Sequence, residues 1–224
     1  MTSSRDTVIA SIRRALGVTS QEAPRRFEVG QRLAVHPRGV VPARAQLPPA
    51  ERIALFKEMA LAAAASVDHL ATTDAVPSAI AAYLRARNLP ATILRGADPR
   101  LADLPWRNEP NLDVWIGPSD GRQLVGLSHA YAGVAESGTL VMLSGPDNPS
   151  TLNLLPDHHL VVLDAADVEA DYENVWTRVR ALFGEGAMPR TVNWITGPSR
   201  SADIEQTLLL GAHGPRSLHI LLVG

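Results

Sequence analysis

The chain has 224 residues, 46% of them hydrophobic but only 4% aromatic, so a sizeable core must be built from Leu, Val, Ile and Ala. Its formal net charge of −2 leaves no basic excess to neutralise phosphates, which speaks against a nucleic-acid partner. It contains no cysteine, which excludes disulfides, a thiolate nucleophile and cysteine ligands for zinc or an iron–sulfur cluster.

Residues 4–16 carry Val8, Ile9, Ile12, Ala15 and Leu16 at helical spacing, with Ser4 as a cap and Gly17 as a stop. This amphipathic helix suits packing on a partner or a second copy better than a membrane surface. Residues 18–49 hold Pro24, Pro37, Pro42, Pro48 and Pro49 with little periodicity and read as an extended linker. Residues 1–47 are therefore expected to form an arm, and 48–224 the domain. Within it the pattern predicts a helix over Ala50–Ser66, a strand over Asp68–Thr72, a helix over Pro77–Asn88, and strands at Ala91–Leu94 and Asp113–Ile116. From Gln123 to Leu143 two strand-like runs flank Glu136, consistent with a hairpin or bulged pair. His158–Leu163 is a strong strand, Val168–Phe183 a helix, Val192–Ile195 a strand, Ile204–Leu210 a helix and Leu218–Val223 a strand. The alternation argues for an α/β fold with an open, mostly parallel sheet and helices on both faces. No apolar run approaches the ~20 residues of a membrane span, and no apolar signal core lies between Arg5 and Arg13-Arg14, so a cytoplasmic location is expected.

Two stretches carry chemistry. In Gly133-Val134-Ala135-Glu136-Ser137-Gly138-Thr139-Leu140 a single carboxylate sits between glycines just before a core strand. Glu136 reads either as a site residue or as a solvated turn acid. Thr196-Gly197-Pro198-Ser199-Arg200-Ser201-Ala202-Asp203-Ile204-Glu205 follows a strand and reads as a tight turn opening a helix, with Ser199 or Ser201 as its cap. Asp203 and Glu205 in that first turn repel a phosphate, so a hydroxylated ligand or a carboxylate held by Arg200 fits better. Ordinary helix-start acids remain the plain alternative. His213, in Gly211-Ala212-His213-Gly214-Pro215, offers an imidazole for acid–base work, or simply bonds to loop backbone. His158 and His159 are adjacent on a strand and point to opposite faces, and His129 is a weaker candidate. No spacing matches a zinc motif, a dinucleotide fingerprint or a P-loop, so no metal and no cofactor are expected.

These stretches, together with Asn153-Leu154-Leu155-Pro156, resemble the lactate utilization protein C family, also called YkgG, DUF162 or the LUD domain. The resemblance covers roughly the last hundred residues, in family order. It implies the fold shared by NagB, ribose-5-phosphate isomerase and CoA transferases. It implies a role in oxidising L-lactate to pyruvate beside cysteine-rich, iron–sulfur partner proteins, with this chain non-redox and binding a small organic acid. On this reading Glu136, Ser137, Thr139, Ser199, Arg200, Ser201, Asp203, Glu205 and His213 face one cleft. Glu136 and His213 are the catalytic candidates and the others bind ligand. Rival readings are a self-standing enzyme of the isomerase or CoA-transferase type using Glu136, and a regulatory ligand-binding module.

Overall fold

The computed structural model describes residues 3–184, 186–202 and 208–224. It divides into two compact units between Val40 and Val41. The first holds α1 (Ser4–Leu16) and α2 (Ala23–Val35). Helix α1 starts one residue earlier than expected: the Ser3 hydroxyl accepts from the Asp6 N–H while the Asp6 carboxylate accepts from the Ser3 N–H, a reciprocal capping box. Gly17 closes it in the left-handed conformation, as its position foretold. Helix α2 replaces part of the expected extended linker. Pro24 lies in its first turn, where a missing N–H costs nothing, and the remaining prolines fall beyond its end. Neither helix has a buried residue.

The second unit runs α3 (Pro49–Ala62), β1 (Ser66–Leu70), α4 (Val76–Ala86), β2 (Thr92–Arg95), α5 (Pro99–Ala102), β3 (Asp113–Ile116) and β4 (Val125–His129). It continues with β5 (Ala132–Val134), β6 (Thr139–Leu143), α6 (Ser150–Leu154), β7 (His158–Asp164), β8 (Val168–Glu169) and α7 (Tyr172–Phe183). The last elements are β9 (Val192–Ile195), β10 (Arg200–Ala202), β11 (Leu208–Leu210) and β12 (Ser217–Val223). Among the described residues a six-stranded sheet has the order β1-β12-β7-β4-β2-β3, and every neighbouring pair in it is parallel.

The near-continuous apolar runs of β7 and β12 reflect burial on both faces. Val161 and Leu163 of β7, with Leu218, Ile220 and Leu222 of β12, enter one core with Phe56 and Ala60 of α3. Leu160 and Val162, with Leu221 and Val223, enter the other, where Ile80, Tyr83 and Leu84 of α4 cover the sheet. The period-2 alternation of the strands thus feeds two cores from one sequence run.

A second sheet, β8-β5-β6-β9, was not separable from the first by pattern alone. Its β5–β6 pair is the expected hairpin, with Glu136 in the turn. Leu140 and Met142 face the α3 core, and Val141 faces Val175 and Val179 of α7. The N-terminal residues of the helix expected over Val168–Phe183 are instead β8, which pairs with β5; α7 begins only after Asp171, whose carboxylate accepts from the Asn174 N–H. The helix expected over Ile204–Leu210 is also corrected. Leu208–Leu210 is a strand, antiparallel to Arg200–Ala202, and residues 203–207 lie outside the described part. Alternate leucines pair across a strand as readily as they line a helix, so this short apolar run was ambiguous.

The break at Val41 lies before Ala45, which is fully buried. A chain starting at Val41 is expected to keep the parent's cooperative thermal transition. One starting at residue 48 loses Ala45, a burial worth about 1 kcal/mol, and melts about 2–4 °C lower. Calorimetric melts of both truncations check this, and an unfolded Val41 chain would contradict it.

Candidate functional site

The C-terminal end of α3 organises the two motif stretches. Gly138, in the β5–β6 turn, has φ +65°, and a Cβ there would run into the backbone of Met59 and Ala60. Gly197, after β9, has φ +70° and is pressed against the Ala63 carbonyl in the same way. The Arg200 guanidinium donates 2.8 Å to that carbonyl and so caps the open end of α3.

Beside this junction is a cleft of about 450 Å³. Thr196, Ser199, Arg200 and His213 line it, with Asn153. The Gly211–Pro215 loop closes over Ser199. The Ser199 N–H donates to the Pro215 carbonyl at 2.8 Å, the Gly211 N–H to the Ser199 carbonyl at 3.1 Å, and the His213 N–H to the Ser199 hydroxyl at 3.4 Å. Ser199, Arg200 and His213 therefore share one cleft. Ser201 lies in β10; Asp203 and Glu205 lie outside the described residues.

Glu136 is placed apart from this cleft. It is 6% exposed, its N–H donates to the Ala170 carbonyl, and its carboxylate accepts from the Tyr172 N–H at 3.2 Å. It thus neutralises one of the open amides at the start of α7. Ser137 and Thr139 sit between the two places. Their hydroxyls lie 2.7 Å apart, both contact the Tyr172 hydroxyl, and Thr139 Oγ1 lies 2.6 Å from Thr196 Oγ1 on the cleft wall. A continuous run of hydroxyls therefore leads from the Glu136 turn to the cleft.

The inner wall of the cleft is Asn153, 1% exposed. The Ser128 hydroxyl donates 2.9 Å to its Oδ1. His159 Nε2 lies 3.1 Å from Ser128 Oγ and must be the donor, since that hydroxyl is already donating. Burial holds the His159 pKa down to about 3, so the ring is neutral, and Nδ1 carries no proton and has no partner. The relay fixes which way the Asn153 amide points. Its Nδ2 is buried in the cleft wall without a partner. A buried donor with no acceptor costs free energy until a ligand or water takes it.

A LUD domain family model matches residues 53–223, most of the chain. The chain belongs to the LUD domain family. It is 32% identical over 141 residues to the lactate utilization protein C of an Exiguobacterium species, covering 59% of this chain and 61% of that one. It is 34% identical over 100 residues to the Bacillus subtilis lactate utilization protein C, covering 44% and 42%. It is 35% identical over 127 residues to the Neisseria meningitidis protein NMB1437, covering 57% and 53%. The chain thus spans about half the length of the curated relatives it matches. Among solved structures, a DUF162 family protein from Deinococcus radiodurans superposes with a TM-score of 0.59 at 25% identity, covering 80% of this chain and 99% of that one.

In this LUD domain the Thr196–Arg200 stretch lines the cleft and the Glu136 turn does not, and Ser128 and His159 were not legible as its support. His159 was visible only as one of two adjacent strand histidines, and nothing in the spacing linked it to Asn153. No described helix is long and apolar enough to cross a membrane.

Two outcomes follow from this geometry. His159 is neutral when folded and has a depressed pKa, so its contribution to stability is full above the unfolded value near 6.5 and is lost as pH falls toward 3. The melting temperature is expected to drop steeply over that window, and His159→Gln to flatten the drop while lowering stability at pH 7. A wild-type pH profile no steeper than the variant's would refute the assignment. Glu136→Ala removes an acceptor from the first turn of α7 and should cost about 1 kcal/mol, some 2–4 °C in melting temperature. Glu136→Gln keeps an oxygen for Tyr172 and should recover most of it, as thermal melts of the pair will show.

Proposed function

We propose that this LUD domain is a non-redox subunit of a lactate-utilisation system. It holds a small organic acid in the Asn153–Arg200 cleft, while iron–sulfur partner proteins carry the electrons of L-lactate oxidation to pyruvate. The observation that carries this reading is the orphan Asn153 Nδ2 donor in a cleft also lined by Thr196, Ser199 and the Arg200 cation. Donors and a positive charge suit a carboxylate, and the neighbouring hydroxyls suit a 2-hydroxyl group. The names of the relatives support the pathway, and a chain without cysteine fits a role beside other chains that carry the clusters. Glu136, already holding the start of α7, has a task that needs no covalent chemistry.

Calorimetric titration with L-lactate and pyruvate tests the ligand. Saturable binding is expected, weakened about tenfold or more by Asn153→Asp, which keeps the acceptor for Ser128 but removes the unpartnered donor. Ser199→Ala should weaken it less. Growth on L-lactate, in a host dependent on this gene, should fall with the same variants. Reduction of a dye by the pure chain in the presence of lactate would overturn the subunit reading. Binding unaffected by either variant would overturn the cleft.

A further inference from the structure

A second crevice lies outside the carboxyl ends of the parallel strands and is untouched by the motifs above. In the six-stranded sheet β2 and β4 are neighbours, but their chains leave in opposite directions, β2 towards β3 and β4 towards β7 by way of β5, β6 and α6. Open α/β sheets bind ligands where neighbouring strand ends diverge in this way. Here the divergence opens a cavity of about 200 Å³. At ~30 Å³ per water, that is room for a pentose-sized molecule but not for a nucleotide.

Its roof is a turn in which the Gly145 and Asn148 backbones bond to each other in both directions, at 3.3 and 3.2 Å. The turn is seated directly on Gly96, where a Cβ would collide with Asp147. One wall is Asp98, bound by Arg100 through a 2.7 Å ion pair and two further donations from the same residue. The other wall is His129 at the end of β4, 5% exposed.

The chemistry of the open groups selects the ligand. His129 Nδ1 contacts the Ala130 carbonyl at 2.9 Å and so carries the proton, leaving Nε2 as an acceptor in the neutral ring. Burial, with repulsion from Arg100, lowers its pKa against the pull of the Ala130 carbonyl, Asp164 and Asp98, and so favours that neutral ring. Nε2 lies 3.5 Å from the Asp164 carboxylate, which can only accept. Asn148, 7% exposed, donates through Nδ2 to the Leu143 carbonyl at 3.2 Å, and its Oδ1 is buried with no partner. The lining sets donors beside these acceptors, the Arg100 guanidinium and the Tyr131 and Ser144 hydroxyls. A carboxylate or phosphate would bring negative charge against Asp98 and Asp147, while Arg100 is already paired with Asp98. An ammonium would meet the guanidinium of Arg100, with Arg95 buried nearby at the end of β2.

We propose that this crevice binds a small neutral polyol or sugar whose hydroxyls donate to Asn148 Oδ1 and to His129 Nε2. The site is separate from the Asn153–Arg200 cleft and does not rest on the lactate reading.

The test is titration of the full chain with glycerol, erythritol, xylitol and D-ribose, beside ethanolamine and acetate as cationic and anionic probes. Binding is read by saturation-transfer NMR and calorimetry. At least one polyol should saturate with a Kd of about 1 mM or tighter, and Asn148→Ala should weaken it about tenfold or more. Should Asn148→Ala lose its thermal transition, Asn148→Ser is read in its place. Ser199→Ala, in the other cleft, should leave polyol binding unchanged. The proposal is overturned if no polyol saturates, if ethanolamine or acetate binds and the polyols do not, or if polyol binding survives the Asn148 change or responds to Ser199→Ala instead.

Discussion

The close approach of α3 to two glycines is the constraint on which the site depends. Gly138 and Gly197 are 59 residues apart in sequence, yet both meet the last turn of the same helix, and Arg200 closes that turn at Ala63. Neither contact has room for a Cβ. The glycine of each motif is therefore explained by backbone packing and a positive φ rather than by ligand contact. What the packing achieves is registration: the β5–β6 turn and the β9–β10 segment are held against one rigid element, and the Thr139–Thr196 hydroxyl contact at 2.6 Å is a result.

This arrangement redistributes the roles suggested by residue type. A lone buried glutamate between glycines invites a catalytic reading, but its carboxylate answers an open helix amide at Tyr172. An arginine in a serine-rich turn invites an anion, and one of its nitrogens answers a helix carbonyl. Helix ends need such partners wherever they are buried. Arg200 nonetheless lines the cleft, so a structural bond and an exposed charge coexist in one side chain.

How much was legible follows the physics of each element. The β7 and β12 runs, apolar on both faces, were legible from sequence as strands, and the Ser4–Leu16 helix carried both its periodicity and its stop at Gly17. The α2 helix was hidden because proline was counted as a breaker without regard to its position in the first turn. The β10–β11 hairpin was hidden because three leucines have no period of their own. Of the residues expected to share one cleft, Ser199, Arg200 and His213 line it, Glu136 lies apart, and Asp203 and Glu205 lie outside the described residues. The relay behind the cleft was not legible, since His159 reaches Ser128 only through the parallel register of β4 and β7, which a single sequence does not display.

The fold also separates two rules that coincide in simpler α/β proteins. In open α/β sheets ligands usually bind outside the carboxyl ends of the strands, where a recognisable motif would then mark the strand ends. Here the motif cleft is built from the segment that leads into β7, the loop that leads into β12 and the turn that leaves the second sheet after β9. The strand ends that diverge lie instead at Arg95 and His129, and their crevice is lined by residues with no recognisable motif. The added β5-β6-β9 layer accounts for the difference. By folding back over α3 it supplies a wall that a single sheet lacks, so the cleft forms between layers and does not require strand termini. The crevice at the sheet edge then remains as a feature of topology alone, which is why it had to be found from geometry and from the unsatisfied oxygen of Asn148.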